Sequence, residues 1–177
     1  MMMWFWIFAA LFIAFGFVVV RGAPYVPSHR KYARLALTKL YKLKTSDVLV
    51  DLGSGDGTVL RLATKLGAAR AIGYELNPIL VAVSWLLARG DKKQKTVLAD
   101  MWLSEFPAET TVVYVFSVTR DSEKLTKKLQ KHADTYNQEL WCITYGAGLA
   151  ADKKPAKKLH AHQLYYFAPE GLQRKRP

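Results

Sequence analysis

Seven consecutive residues, Asp51-Leu52-Gly53-Ser54-Gly55-Asp56-Gly57, hold three glycines and two aspartates. Glycine reaches positive φ and lets a ligand touch bare backbone. The carboxylates accept hydrogen bonds from ammonium and hydroxyl groups and repel phosphate. A dinucleotide-binding turn would read G-x-G-x-x-G and present its helix N-terminus to a pyrophosphate. Here the spacing is Gly53-x-Gly55-x-Gly57, with Asp51 and Asp56 where the pyrophosphate would lie. A phosphate-binding loop needs G-K-[ST], which is absent. The ligand that suits bare backbone between carboxylates carries an amine or cationic end.

S-adenosylmethionine has that end, together with an adenosine. Asp51 is placed to accept from its α-amino group, and Gly53, Ser54, Gly55, Asp56 and Gly57 form the turn around its methionine part. Glu75 lies 18 residues beyond Gly57, where an acid at the end of a second strand accepts the ribose hydroxyls, with Leu76 and Asn77 following. Asp100, at the expected end of a third strand, can accept from the adenine amino group, and Met101 and Trp102 can pack on the adenine face. Each piece alone has an ordinary reading: a glycine turn is a loop, and a strand-end acid often caps a helix. Their succession at the ends of three strands is what points to a methyl donor.

The elements that must hold these residues are legible around them. "DVLVDL", "ARAIGYEL", "KTVLAD", "TTVVYVFS", "QELWCITYGA" and "LHAHQLYYFAP" read as strands. "GTVLRLATKLG", "NPILVAVSWLLARG" and "TRDSEKLTKKLQKHADTY" read as helices between them, the second capped by Asn77, with Pro78 in its first turn and Gly90 as its stop. "HRKYARLALTKLYKL" has helical spacing ahead of the first strand. Near-continuous apolar strands alternating with helices predict an α/β fold with a mostly parallel sheet covered on both faces. The last strand follows the fifth without a helix and is expected to return antiparallel at the sheet edge. In such a sheet ligands bind at the carboxyl ends of the strands, which is where the glycine turn falls.

The first twenty residues, "MMMWFWIFAALFIAFGFVVV", carry no charged side chain. At 1.5 Å per residue, roughly 20 helical residues span about 30 Å of hydrocarbon. No base precedes the run, and "VVVRGA" is a poor cleavage site, so an uncleaved transmembrane anchor is expected over 1–21 rather than a secretory signal. Arg21, Arg30, Lys31, Arg34, Lys39, Lys42 and Lys44 follow before any acid; the positive-inside rule then places the catalytic part in the cytoplasm as a single-pass protein. The expected organisation is anchor 1–21, basic connector and helix 22–46, catalytic domain 47–168 and basic tail 169–177. The net charge of +12 over 177 residues fits anionic headgroups; no zinc-finger, RNA-binding or recognition-helix pattern accompanies it, so nucleic acid is not the expected partner. The lone Cys142 sits in an apolar strand run and cannot form an internal disulfide. His160 and His162, at strand spacing, are read as sharing one face with no further ligands beside them, so no metal is expected.

"DLGSGDG…GYELNPILVAVSW" resembles the class I methyltransferases, whose fold is a Rossmann-like sheet. "PYVPS" soon after an apolar N-terminus, then "VDLGSGDGTVL" and "GYELNP", is similar to the mitochondrial lysine methyltransferases of the ATP synthase c-subunit and the adenine nucleotide translocase, and to their prokaryotic relatives. The likeness is close from Pro24 to about Trp102. It implies an S-adenosylmethionine-dependent protein-lysine N-methyltransferase at the membrane, with a small membrane protein as a substrate and with Tyr25, Pro27 and Ser28 at the active-site entrance. Beyond the fourth strand, "FSVTRDSEKL" departs from the family, and the Asn-Pro-Pro-Tyr signature of amide and nucleobase methyltransferases is replaced by "VFSVTR". Tyr25, Phe116, Ser117 and Tyr145 are the candidates to line an acceptor channel that keeps a lysine neutral. The alternatives are a small-molecule or lipid methyltransferase at the membrane surface and a cofactor-binding protein without activity; intact Asp51, Glu75 and Asp100 argue against the last.

Overall fold

The structure, a computed structural model, describes residues 4–6 and 29–173. The expected anchor over 1–21, apart from 4–6, and the Tyr25–Ser28 entrance lie outside the described residues. Among the described residues no helix is long and apolar enough to cross a membrane.

Helix α1 (Arg30–Leu35) runs into a π-helical turn (Ala36–Leu40). There follow β1 (Val48–Leu52), α2 (Thr58–Lys65), β2 (Arg70–Glu75), α3 (Pro78–Ala88), β3 (Gln94–Leu98), β4 (Val112–Ser117), α4 (Ser122–Tyr136), β5 (Leu140–Gly146), β6 (Lys157–Leu159), β7 (His162–Phe167) and the short α5 (Glu170–Gln173). The seven strands lie in the order β3-β2-β1-β4-β5-β7-β6. β1 to β5 are parallel, while β7 runs antiparallel to both β5 and β6. The order reverses between β1 and β4, the point at which open α/β sheets bind ligands.

Strand β1 is buried at all five positions because both of its faces are covered. Leu49 packs with α1 and α2, alongside Ala36, Leu37, Leu60 and Ala63. Val48, Val50 and Leu52 pack on the other face with Leu125, Leu129 and Ala133 of α4. The continuous apolar run in the sequence is thus two half-cores sharing one strand.

At the amino end of β1 the buried Asp47 is fully engaged. Its carboxylate accepts from Lys44 N at 2.6 Å, from the Thr111 hydroxyl at 2.9 Å and from the Tyr41 hydroxyl at 3.2 Å. The same burial, and then the Asp47 charge, raise the Tyr41 hydroxyl well above its usual range. Asp47→Asn should cost about 1–2 kcal/mol by removing charge-assisted acceptance from three donors. Urea unfolding checks it: the midpoint should fall while the slope stays constant.

The end of the chain corrects the sequence reading. The run read as one strand, 159–169, is a hairpin: β6 ends at Leu159, and His160 turns the chain at φ +52°. The edge strand is therefore β6, and β7 lies inside the sheet. Lys157 and Lys158 belong to that edge, where charged side chains discourage pairing with other chains. His160 and His162 do not share a strand face: His160 is exposed in the turn, whereas His162 opens β7 and is 2% exposed. Periodicity could not reveal this, because a tight turn and two more strand residues have the same length. β3 also ends two residues earlier than expected, so Asp100 belongs to the loop beyond it.

Candidate active site

The glycine turn follows β1 at the switch point. Gly53, Gly55 and Gly57 have φ of +79°, +55° and +78°, so all three use the left-handed region that disfavours side chains. The turn is tied to β2: Gly53 N and Ser54 N both donate to Tyr74 O, at 2.9 and 3.1 Å. Among the described residues nothing lies within 4 Å of where a Cβ on Gly53 would stand, which leaves its backbone open to a ligand on that side. Gly57 has a different reason: a Cβ there would stand 2.2 Å from Ser84 Oγ of α3.

Sequence reasoning missed Gly73, in the middle of β2. A Cβ there would meet Ser54 Oγ at 2.3 Å, Ser54 Cβ at 2.5 Å and Leu60 Cδ1 at 2.8 Å. The turn folds down over β2 only because Gly73 lacks a side chain. Gly73→Ala should destabilise the protein by about 1–3 kcal/mol through overpacking and shift the turn. Thermal unfolding reads the first effect, and cofactor affinity should fall with it.

Asp51 is the penultimate residue of β1, in a row with Gly73 of β2 and Tyr114 of β4. It is 3% exposed. Unlike Asp47, its carboxylate takes no hydrogen bond from a side chain among the described residues. Burial pushes its carboxyl well above the usual range, and the charges of Glu75 and then Asp56 push further. A cation beside Asp51 would relieve all three.

Glu75 ends β2 and turns its carboxylate back on the turn: Oε2 accepts from Gly55 N and Oε1 from Asn77 N, each at 2.8 Å. A carboxylate has about four acceptor sites, so both oxygens keep capacity for ribose hydroxyls. Asn77 caps α3 with its Oδ1, accepting from Ile79 N at 2.9 Å. Leu76, between them, is half-buried. Asp56 has local partners: it accepts from Thr58 N and the Thr58 hydroxyl, both at 3.0 Å, and pairs with Arg61 at 3.1 Å. Its carboxylate starts α2, and it reaches Asp51 only through its charge. Ser54 Oγ is buried and has no hydrogen-bond partner among the described residues.

Asp100, Met101 and Trp102 lie on the loop after β3. Asp100 Oδ1 accepts from Trp102 N at 2.8 Å, which bends the loop. Met101 and Trp102 pack against the α4 side of the core. Three contacts brace the loop: Tyr74 Oη donates to Glu105 O at 2.8 Å, Lys128 Nζ donates to Ser104 O at 2.6 Å, and Lys124 Nζ lies 4.2 Å from the Trp102 ring centre. These lysines gave no signal in the sequence beyond the polar face of a helix.

On the other side of the switch point, Phe116 and Tyr145 face each other across β4 and β5, with ring centres 5.7 Å apart. Tyr145 stacks at 4.8 Å on His162, and His162 Nε2 is 2.8 Å from the Tyr114 hydroxyl. Burial, then the charge of His160, pushes the His162 imidazole down to about 4, so it stands neutral behind the aromatic pair at pH 7. Ser117 adjoins Phe116 but falls on the opposite face of the pleat; its Oγ is buried without a partner among the described residues. The structure thus brings Phe116 and Tyr145 together and adds Tyr114 and His162, whose approach depends on strand register.

Open backbone at Gly53, a buried carboxyl at Asp51 awaiting a cation and spare acceptors on Glu75 all fit S-adenosylmethionine. A family model described as the ANTKMT methyltransferase domain matches residues 51–143, just over half of the chain. The chain belongs to this methyltransferase family. It is similar to the ATP synthase c-subunit lysine N-methyltransferase of Xenopus laevis, at 36% identity over 110 residues, covering 60% of this chain and 47% of that protein. It is also similar to a protein-lysine N-methyltransferase of Saccharolobus islandicus (strain REY15A), at 32% identity over 115 residues, covering 63% of this chain and 71% of that one. Among solved structures, an RNA methyltransferase from Salinibacter ruber in complex with S-adenosyl-L-homocysteine superposes with a TM-score of 0.69 at 25% identity, covering 82% of this chain and 95% of that chain. The chain spans about half the length of the ATP synthase c-subunit methyltransferases it matches. The parallel sheet with its antiparallel hairpin is the methyltransferase fold.

Proposed function

We propose that this methyltransferase modifies lysine side chains of protein, at a membrane to which its N-terminal segment anchors it. The observation that carries the acceptor class is the aromatic corner of Phe116 and Tyr145 backed by a neutral His162. S-adenosylmethionine, when bound, supplies an electrophilic methyl group, so the chain's own task is to align the acceptor, exclude water and keep the lysine uncharged. Aromatic faces attract an arriving ammonium, and an apolar, water-poor corner lowers its pKa. A neutral imidazole adds no repelling charge. Asp51 and the glycine turn hold the methionine end, Glu75 the ribose, and Asp100, Met101 and Trp102 the adenine side.

The relatives' names support a lysine acceptor, and two of their kinds carry membrane-protein substrates in those names: the c-subunit of ATP synthase and the adenine nucleotide translocase. The uncharged run over 1–20 and the bases after it support an anchor with the catalytic domain on the cytoplasmic side. Only a few residues separate Arg21 from the segment that the resemblance assigns to the entrance, which limits the reach of a tethered site, and tethering raises the effective concentration of lysines at the bilayer. The proposed substrate is therefore a small integral membrane protein methylated near the headgroups.

Membranes incubated with labelled S-adenosylmethionine and the full chain test this. Label is expected in a small membrane protein, on lysine by mass spectrometry. Label confined to lipid would instead support the lipid-methyltransferase reading. Label confined to RNA would fit the Salinibacter neighbour's chemistry and overturn the lysine assignment.

A further inference from the structure

Helix α3 breaks the usual rule for a surface helix. Its buried side is narrow, consisting of Val81 and Ser84. The opposite side ought to be polar. Instead, Ile79, Val83 and Leu86 recur there at i, i+4 and i+7, exposed by 68, 37 and 78%. Leu87 widens the stripe, and Trp85 is 60% exposed. The Trp85 Nε1 donates to Thr96 O of β3 at 2.9 Å, so its polar group is satisfied while its ring faces outward. Immediately beyond the helix, Arg89, Lys92, Lys93 and Lys95 are all exposed, against a single acid, Asp91. An apolar stripe with a tryptophan and a basic border is the pattern of a helix lying in a lipid interface.

We propose that the outward face of α3 is a second membrane contact, which seats the β3 edge of the sheet on an anionic bilayer. The proposal takes from the proposed function only that the chain works at a membrane. Asn77, the cap of α3, is two residues after Glu75, so the helix's amino end adjoins the proposed cofactor site. Seating this face on lipid sets the rim of that site at the headgroups, where an anchor alone would leave the domain free to rotate.

Charge favours lipid: Arg89, Lys92 and Lys93 border the stripe in a chain of net charge +12, and a second copy would bring them against their own kind. The chain's own apolar run over 1–20 is the remaining occupant, and the test below separates it from lipid.

Cys142, the single cysteine, is buried, and burial pushes its thiol far up, so an introduced surface cysteine can be labelled alone. The full chain carrying Leu86→Cys, or Lys127→Cys on exposed α4 as a control, is labelled with an environment-sensitive fluorophore. It is then reconstituted in phosphatidylcholine–phosphatidylserine vesicles containing lipids with a nitroxide near the headgroup. The label at position 86 is expected to shift to the blue and to be quenched several-fold more than that at 127. The difference should shrink in phosphatidylcholine alone and in Arg89→Glu/Lys92→Glu/Lys93→Glu. Equal quenching at the two positions would overturn the proposal. So would a blue-shifted label at 86 that lipid nitroxides do not quench, which would show protein covering α3, or disulfide-linked pairs of Leu86→Cys chains forming ahead of any lipid quenching, which would show a second copy.

Discussion

Asp51→Asn is expected to weaken S-adenosylmethionine binding roughly 10- to 100-fold while making the cofactor-free protein more stable at neutral pH. The two effects have one cause. Asp51 is buried, and its carboxyl is pushed well above the usual range by that burial and by Glu75 and Asp56. An ionised Asp51 is therefore costly until a cation arrives, and in the proposed assignment the cofactor's ammonium is that cation. Asparagine keeps the volume and one acceptor oxygen but loses the charge, and a hydrogen bond to a charged group is worth about 1.5–3 kcal/mol.

The pH dependence follows from the direction of the shift. With its folded pKa above its unfolded value near 3.8, Asp51 holds more proton in the folded state. Its contribution to stability is present below the unfolded pKa and is lost as pH rises towards the folded one. The advantage of Asp51→Asn should thus appear at neutral pH and fade in acid. For a chain of this size each kcal/mol reads as about 2–4 °C in Tm. Cofactor binding to the unaltered protein should release protons, and its affinity should rise with pH across the same window. Calorimetry in buffers of different ionisation enthalpy measures this; a pH-independent affinity would remove Asp51 from the ammonium.

Glu75→Ala is expected to be the more damaging change for the site as a whole. One substitution removes the proposed ribose acceptor and strands two backbone donors, Gly55 N and Asn77 N. Each donor left unsatisfied costs about 1–3 kcal/mol, so both Tm and cofactor affinity should fall, the latter by about 30-fold or more. Glu75→Gln separates the roles. It keeps one acceptor oxygen and most of the packing, and it removes a charge that raises the Asp51 carboxyl. The pH window for cofactor binding should then move towards acid. Unchanged affinity in both variants would exclude Glu75 from the ribose.

The cofactor half of the site was legible because it is local. Asp51 to Gly57 is one turn, and Glu75 and Asn77 sit at the next strand-to-helix junction, so a parallel sheet with alternating helices brings them together whatever its details. The apolar run of β1 and the Asn77-Pro78 helix start needed only burial and capping to be read. The same locality makes Asp56 deceptive, because sequence cannot distinguish a ligand-facing carboxylate from one that begins α2 with Thr58 and Arg61 as partners.

The proposed acceptor half depends on register. His162 meets Tyr145 and Tyr114 because β7 slots between β5 and β6 and pairs residue against residue, and nothing within a strand specifies its neighbour's offset. Gly73 became meaningful only when Ser54 was found lying over it, 19 residues away in sequence. The outward stripe of α3 was readable as an apolar helix, but not as an exposed one. Which side of a uniformly apolar helix meets the core is decided by the sheet it lands on. Here β3 is the last strand on its side, and no further element covers Ile79, Val83 and Leu86 among the described residues. The sequence by itself pointed to the chemistry of the cofactor, because the residues proposed for it lie at successive strand ends. The aromatic corner and the bare face of α3 were decided by tertiary structure, since both arise from which strands become neighbours and which one is left at the edge.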